Sequence, residues 1–121
     1  MGFTNTVKNA MLELLDESGG SQSITHVSLH TADPGTTGAS EVTGGSYARV
    51  AVTWGSAASG VKSNTGSLAF NVPAGTTVTH IGGWSASTSG TFRGGGALGA
   101  SQPFATSGTY TIAAGDLDAS I

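Results

Sequence analysis

The chain has no cysteine, only three prolines, and only 9% Asp, Glu, Lys and Arg. Without cysteine, neither a disulfide nor a thiolate-bound metal cluster can hold it together, which is compatible with a reducing cytosol. Ordinary globular domains carry about 25% charged residues, so most of this surface must be polar without being charged. The four basic residues, Lys8, Arg49, Lys62 and Arg93, are scattered and the formal net charge is −3. Nucleic-acid binding needs a clustered basic footprint, and that class is set aside. No apolar run approaches the roughly 20 residues of a membrane-spanning helix, so no membrane partner is expected. A secretory leader is likewise not expected, since no compact apolar block precedes a small-residue cleavage site. Residues 1–6 fit the myristoylation pattern, but a start codon followed by glycine is the preferred reading.

Catalytic signatures are equally scarce. There is no cysteine nucleophile and no Gly-x-Ser-x-Gly elbow. The run Gly94-Gly95-Gly96 lacks the Gly-Lys-Ser/Thr ending of a phosphate loop. Asp33 and Glu41 share one loop without orienting partners, which suits turn or cap roles better than acid–base work. The expectation is a protein that is not an enzyme, with no catalytic residue and no cofactor.

Serine, threonine and 20 glycines take the polar role that charge usually fills. A chain of 121 residues suits one domain and can bury a core without staples. Phe3, Val7, Met11, Leu14 and Leu15 recur at spacings of three and four, which predicts an amphipathic helix. Thr4, Asn5 or Thr6 can cap its start and Gly19-Gly20 stops it. Acidic residues crowd its C-terminal end against the helix dipole, so packing must hold it. Residues 1–20 are read as a helical arm and residues 21–121 as a β-sandwich domain.

After residue 21 the apolar period becomes two. Strands are expected at residues 24–31, 47–54, 67–72, 77–84, 91–98, 108–113 and 119–121, separated by turn chemistry such as Asp33-Pro34-Gly35 and Pro73-Ala74-Gly75. Short alternating runs at this spacing predict a mainly β fold, an antiparallel sandwich of jelly-roll or Ig-like kind with one N-terminal helix. The longest turn-rich loop spans residues 33–46.

His26 and His30 invite a metal reading, because two histidines four apart on a helix can grip one ion. On a strand the same spacing separates them by roughly 13 Å, far beyond a zinc–nitrogen bond. The alternation of residues 24–31 selects the strand, with His26, Ser28 and His30 on its less buried face. His26 and His80 could still lie side by side on neighbouring strands, but hydrogen bonding is the preferred use and no metal site is assigned. Trp54 shares a face with Val50 and Val52 and belongs to the core. Trp84, at a strand end after Gly82-Gly83, is the better surface aromatic, with Tyr47 a second candidate for stacking on a glycan.

Four stretches together resemble a known group: Thr-His-Val-Ser-Leu-His-Thr-Ala-Asp-Pro-Gly (residues 25–35), Gly-Gly-Ser-Tyr-Ala-Arg-Val (44–50), Thr-His-Ile-Gly-Gly-Trp (79–84) and Ala-Gly-Asp-Leu-Asp-Ala-Ser-Ile (114–121). The chain is similar to small virion proteins of tailed bacteriophages, particularly those infecting actinobacteria, described as tail fibre, minor tail or head decoration proteins. The resemblance implies a capsid decoration or minor capsid protein, made in the host cytoplasm and carried on the outer face of the head. It would be a homo-oligomer, a trimer ahead of other numbers, reinforcing contacts of the major capsid protein. Docking would fall to Phe3, Val7, Met11 and Leu14, with Arg49 and Arg93 as polar contacts. The competing implication is a tail fibre or tail-tip module that binds host glycans through Trp84, Tyr47 and the 33–46 loop.

Overall fold

Thr4 is the first residue described by the computed structural model, which describes residues 4–16 and 23–120. Its backbone is extended and its hydroxyl accepts from the Val7 amide, so it caps helix α1, Asn5–Glu13, satisfying one of the orphan donors of the first turn. A 3-10 turn, Leu14–Asp16, follows directly. Phe3 and the Gly19-Gly20 stop lie outside the described residues.

Eight strands follow: β1 His26–His30, β2 Val50–Ala51, β3 Val61–Ser63, β4 Leu68–Val72, β5 Thr76–Trp84, β6 Phe92–Phe104, β7 Gly108–Ile112 and β8 Asp118–Ser120. All pairings are antiparallel. The strands form a four-stranded sheet in the order β2-β1-β5-β6 and two further pairs, β4-β7 and β3-β8. Period-two patterning explains the core between them. Leu68, Phe70 and Val72 alternate inward from β4 and meet Val27 and Leu29 of β1, Val78 of β5 and Ile112 of β7. The fold is therefore mainly β, antiparallel and sandwich-like, with one N-terminal helix.

Three local readings change. Residues 47–54 do not form one strand, because the chain crosses there from the four-stranded sheet to the end of β3. The Val52 amide bonds to Thr25 beside β1, whereas the Thr53 carbonyl and Gly55 amide bond to Thr65 and Ser63. Strand β6 runs six residues beyond the expected end at Leu98. Its register against β5 jumps between Ala97 and Gln102, so the extension follows a large bulge that breaks the two-residue period. Strand β3 was not legible at all, since its central Lys62 is fully buried. The Lys62 Nζ bonds to the Gly55 carbonyl at 2.7 Å and to Glu13 Oε2 at 3.1 Å, which offsets the desolvation of the ammonium.

Helix α1 is docked on its own domain, and the stripe through Val7, Met11 and Leu14 is not what docks it. Only Leu12 is buried in it. The rest of the contact is polar: Asn9 Oδ1 accepts from the Gly60 amide at 2.8 Å, and Glu13 accepts from the Ala57 amide and from Lys62. Those bonds hold the Glu13 carboxyl below its ordinary pKa of 4.5. Val7, Met11 and Leu14 stay 40–44% exposed.

Candidate functional site

One face of the four-stranded sheet carries His26, Ser28 and His30, opposite Trp84, Gly82 and His80 respectively. Alternation suggested that this face looks to water. Ser28 and His30 are instead completely buried, because the loop after β1 folds back over them. Asp33 Oδ1 accepts from the Gly35 amide and makes the turn, Pro34 is buried, and the Thr31 amide bonds to Ser40. Gly38 then passes so close to Trp84 that a Cβ there would lie 2.5 Å from the indole. Its φ of +78° is a second reason for glycine at this point.

Beneath that loop the polar groups form a closed chain. The Trp84 Nε1–H donates to Ser28 Oγ at 2.8 Å, Ser28 lies 2.6 Å from His30 Nε2, and His30 Nδ1 lies 2.7 Å from the Ala39 carbonyl. A carbonyl can only accept, so Nδ1 carries a proton. In the neutral His30 ring, Nε2 then accepts from the Ser28 hydroxyl. Burial pushes its pKa below the ordinary 6.5, against the opposing pull of the Ala39 carbonyl and Glu41. His26, whose Nδ1 meets Thr25 Oγ1 at 2.8 Å, is lowered in the same direction by burial and by Arg49.

The sign of the consequence follows from linkage. In the unfolded chain a histidine takes up its proton near the ordinary value, whereas the folded His30 resists until lower pH. Its contribution is complete above pH 6.5 and is lost progressively as pH falls from there toward the depressed folded value. Denaturant melts at about pH 7.5 and about pH 5.5 should show lower stability in acid, with a smaller difference in His30→Asn. Equal stability at both values, or an unchanged difference in the variant, would refute a buried His30 that resists protonation.

Over the same sheet face lies a second constellation. Arg49 grips Glu41 through two parallel bonds of 2.9 Å, Nε to Oε2 and Nη2 to Oε1. Its Nη1 donates to the Ala86 and Ser89 carbonyls at 3.2 and 2.8 Å, and Cζ sits 3.6 Å from the centre of the Trp84 ring. Tyr47 donates to Glu41 Oε2 at 2.8 Å while accepting from the Leu29 amide at 3.0 Å. Burial alone would raise the Glu41 pKa; the bonds from Arg49 and Tyr47 outweigh it and hold the carboxyl below 4.5. Burial and the neighbouring carboxylate push the Tyr47 phenol well above its ordinary 10.0.

These contacts relocate several expected site residues. Arg49 is not a free docking contact, since the paired side chain is only 9% exposed. Trp84 is buried rather than presented, with Arg49 over its ring and Phe92 edge-on at 5.2 Å, so it has no open face for a sugar. Tyr47 spends its hydroxyl on Leu29 and Glu41 and packs on the core. Glu41 is an ion-pair partner rather than a cap. His26 does not meet His80; the residue opposite His80 is His30. No three His, Cys, Asp or Glu side chains among the described residues converge as metal ligands.

The exposed apolar surface lies elsewhere. The large hydrophobics left open among the described residues are Val7 and Met11 on α1, Leu14 in the 3-10 turn that continues it, and Val61 on β3, the strand that α1 packs against. Beside them runs a groove of about 1130 Å³, lined in part by Met11, Leu14, Ile81, Arg93, Leu98 and Tyr110. The Arg93 Nε is buried there without a hydrogen-bond partner. No described helix is long and apolar enough to cross a membrane.

Comparison with known families adds one match: a family model described as podophage GP4 fiber I protein gp80 covers residues 2–120. No curated protein matches the chain.

Proposed function

The chain belongs to the Gp80 family of podophage GP4 fiber I proteins and is a structural component of a phage virion; from that premise we propose that it is a non-catalytic fibre subunit attached through the open side of α1. The supporting observation is the division of labour on that helix. Its polar side and Leu12 hold the chain's own β-body, while Val7, Met11 and Leu14 remain uncovered. A protein surface rarely leaves a helical stripe of three large apolar residues open unless something covers it. A second virion protein is the proposed cover.

This reading places the protein on the tail and not on the outer head face as a capsid decoration protein. It also assigns no glycan-binding role to Trp84 or Tyr47, whose polar groups and ring surface are used internally. Gold labelling of intact particles tests the position: label at the tail is expected, whereas label spread over the head would favour decoration of the capsid.

Attachment has its own test. Met11→Lys combined with Leu14→Lys changes two exposed positions at a helix C-terminus, where the dipole favours positive charge, so the isolated protein should melt within about 0.5 kcal/mol of wild type. The same variant should be lost from assembled particles. Normal incorporation would rule out α1 as the attachment face.

A further inference from the structure

The buried cations of this chain are paired: Arg49 and Lys62 meet carboxylates at 2.9 and 3.1 Å. Arg93 is held differently. Its Nε is buried with no hydrogen-bond partner, and among the described residues no Asp or Glu lies within ion-pair distance of its guanidinium. A buried donor without an acceptor carries its full desolvation cost, and a charged one carries more. Native proteins keep few such groups, and each one kept calls for a reason.

The strand is built to place Arg93 there. Trp84 pairs with Phe92 and Gly83 with Gly94, so Arg93 is an extra residue without a register partner. Bulges of this kind re-aim a side chain. Phe92 lies edge-on to His30 and Trp84, whereas Arg93 lines the groove of about 1130 Å³ together with Ile81, Leu98, Tyr110, Met11 and Leu14. Glycine keeps the groove open. Gly94 and Gly96 also line it, and a Cβ on either would meet nothing within 4 Å. Asp116 and Asp118 belong to the same lining, but both are exposed to solvent and Asp118 already accepts from Ser63. The result is an apolar cleft with one unneutralised guanidinium in its wall.

We infer that this groove receives a segment of the virion protein contacted by α1, one that lays apolar side chains along the cleft and sets a carboxylate against Arg93. Charge and shape select that chemistry. The side-by-side N–H donors of a guanidinium match the two oxygens of a carboxylate. A purely apolar occupant would bury the Nε further without giving it an acceptor, and a cationic one would face like charge. Position selects the partner. Met11 and Leu14, left open beside α1, are also walls of the groove, so one protein covers both. The identity of that partner rests on the attachment reading; the chemistry of the groove does not.

The isolated full-length protein tests the chemistry, with octanoate as the probe because it joins an apolar chain to a carboxylate. Octanol and octylamine are its controls. The Arg93 Nε–H resonance should move on titration with octanoate and stay still with the other two. Arg93→Gln should weaken octanoate binding about tenfold or more, yet melt no lower than wild type, since it removes a charge that nothing in the chain neutralises. Gly96→Leu should remain folded and exclude octanoate by filling the cleft. No movement with octanoate, equal movement with octanol, a markedly lower melt of Arg93→Gln, or folded Gly96→Leu that still binds octanoate would each overturn the inference. Assembled particles test the partner. Arg93→Gln should be poorly incorporated. If it is incorporated normally while Met11→Lys with Leu14→Lys is lost, the groove inference fails and attachment through α1 stands. If both variants are incorporated normally, both fail.

Discussion

Arg49→Ala is expected to lower the unfolding free energy by about 3 kcal/mol, at the low end of what breaking a buried ion pair does. The discount reflects partial exposure, since the side chains of Arg49 and Glu41 are 9% and 20% accessible. The loss has several parts. Glu41 keeps Tyr47 as a donor but loses both guanidinium bonds, the Ala86 and Ser89 carbonyls lose their donor, and the Trp84 ring loses the cation above it. Arg49→Lys should recover less than half of the loss, because an ammonium cannot reproduce the two-pronged geometry or the stacking. Urea melts of the three proteins check this. If lysine restores wild-type stability, simple charge holds the 41–49 and 86–89 segments together and the planar fork is irrelevant.

Gly82→Val should be at least as damaging, lowering stability by about 3 kcal/mol or more through overpacking. A Cβ at Gly82 would lie 2.7–2.8 Å from His30 Nε2, Phe92 Cε1 and Ser28 Oγ at once. All three are part of the packed layer beneath the 31–41 loop, so the added methyls would push the Ser28–His30 contact open. Gly96→Ala is the matched control on the neighbouring strand. It meets nothing within 4 Å and should be neutral or stabilising by about 0.5 kcal/mol through the unfolded chain. Equal responses at the two glycines would show that the close packing of Gly82 is not a constraint. A fall in near-ultraviolet tryptophan signal in Gly82→Val, tracking Trp84, would locate the damage.

Both predictions fall on the sheet face that the sequence misrepresents. His26, Ser28 and His30 alternate with Val27 and Leu29, and nothing local distinguishes a polar face in water from a polar face under a loop. The distinguishing information lies eight to sixty-six residues away, in Gly38, Ala39, Glu41, Arg49, Trp84 and Phe92. Arg49 and Trp84 looked like surface contacts because each alone would be one. Together, with Glu41 within reach, they satisfy each other and become interior. Lys62 follows the same logic: a lysine in a short run reads as solvent-facing until Glu13 and the Gly55 carbonyl are brought to its amine.

The helix shows that an amphipathic pattern does not by itself say which of its faces meets the domain. Spacings of three and four identify α1 and its Thr4 cap, and the stripe through Val7, Met11 and Leu14 exists. The helix nevertheless docks by Leu12, Asn9 and Glu13. Periodicity reports which residues share a face, but which face meets the domain depends on donors and acceptors at Ala57, Gly60 and Lys62.

What the sequence determined by itself was the class of fold. Period-two runs between turn residues, one helical stripe at the start, and very little charge specify a layered antiparallel β-body, because those rules act over a few residues at a time. Only the tertiary structure decided that Ser28 and His30 are sealed, that Arg49 and Trp84 stack beside them, and that β6 runs past a bulge to Phe104. Those outcomes depend on which distant segments meet. In a chain so poor in charge, one carboxylate or one guanidinium arriving from afar settles whether a side chain faces water or protein.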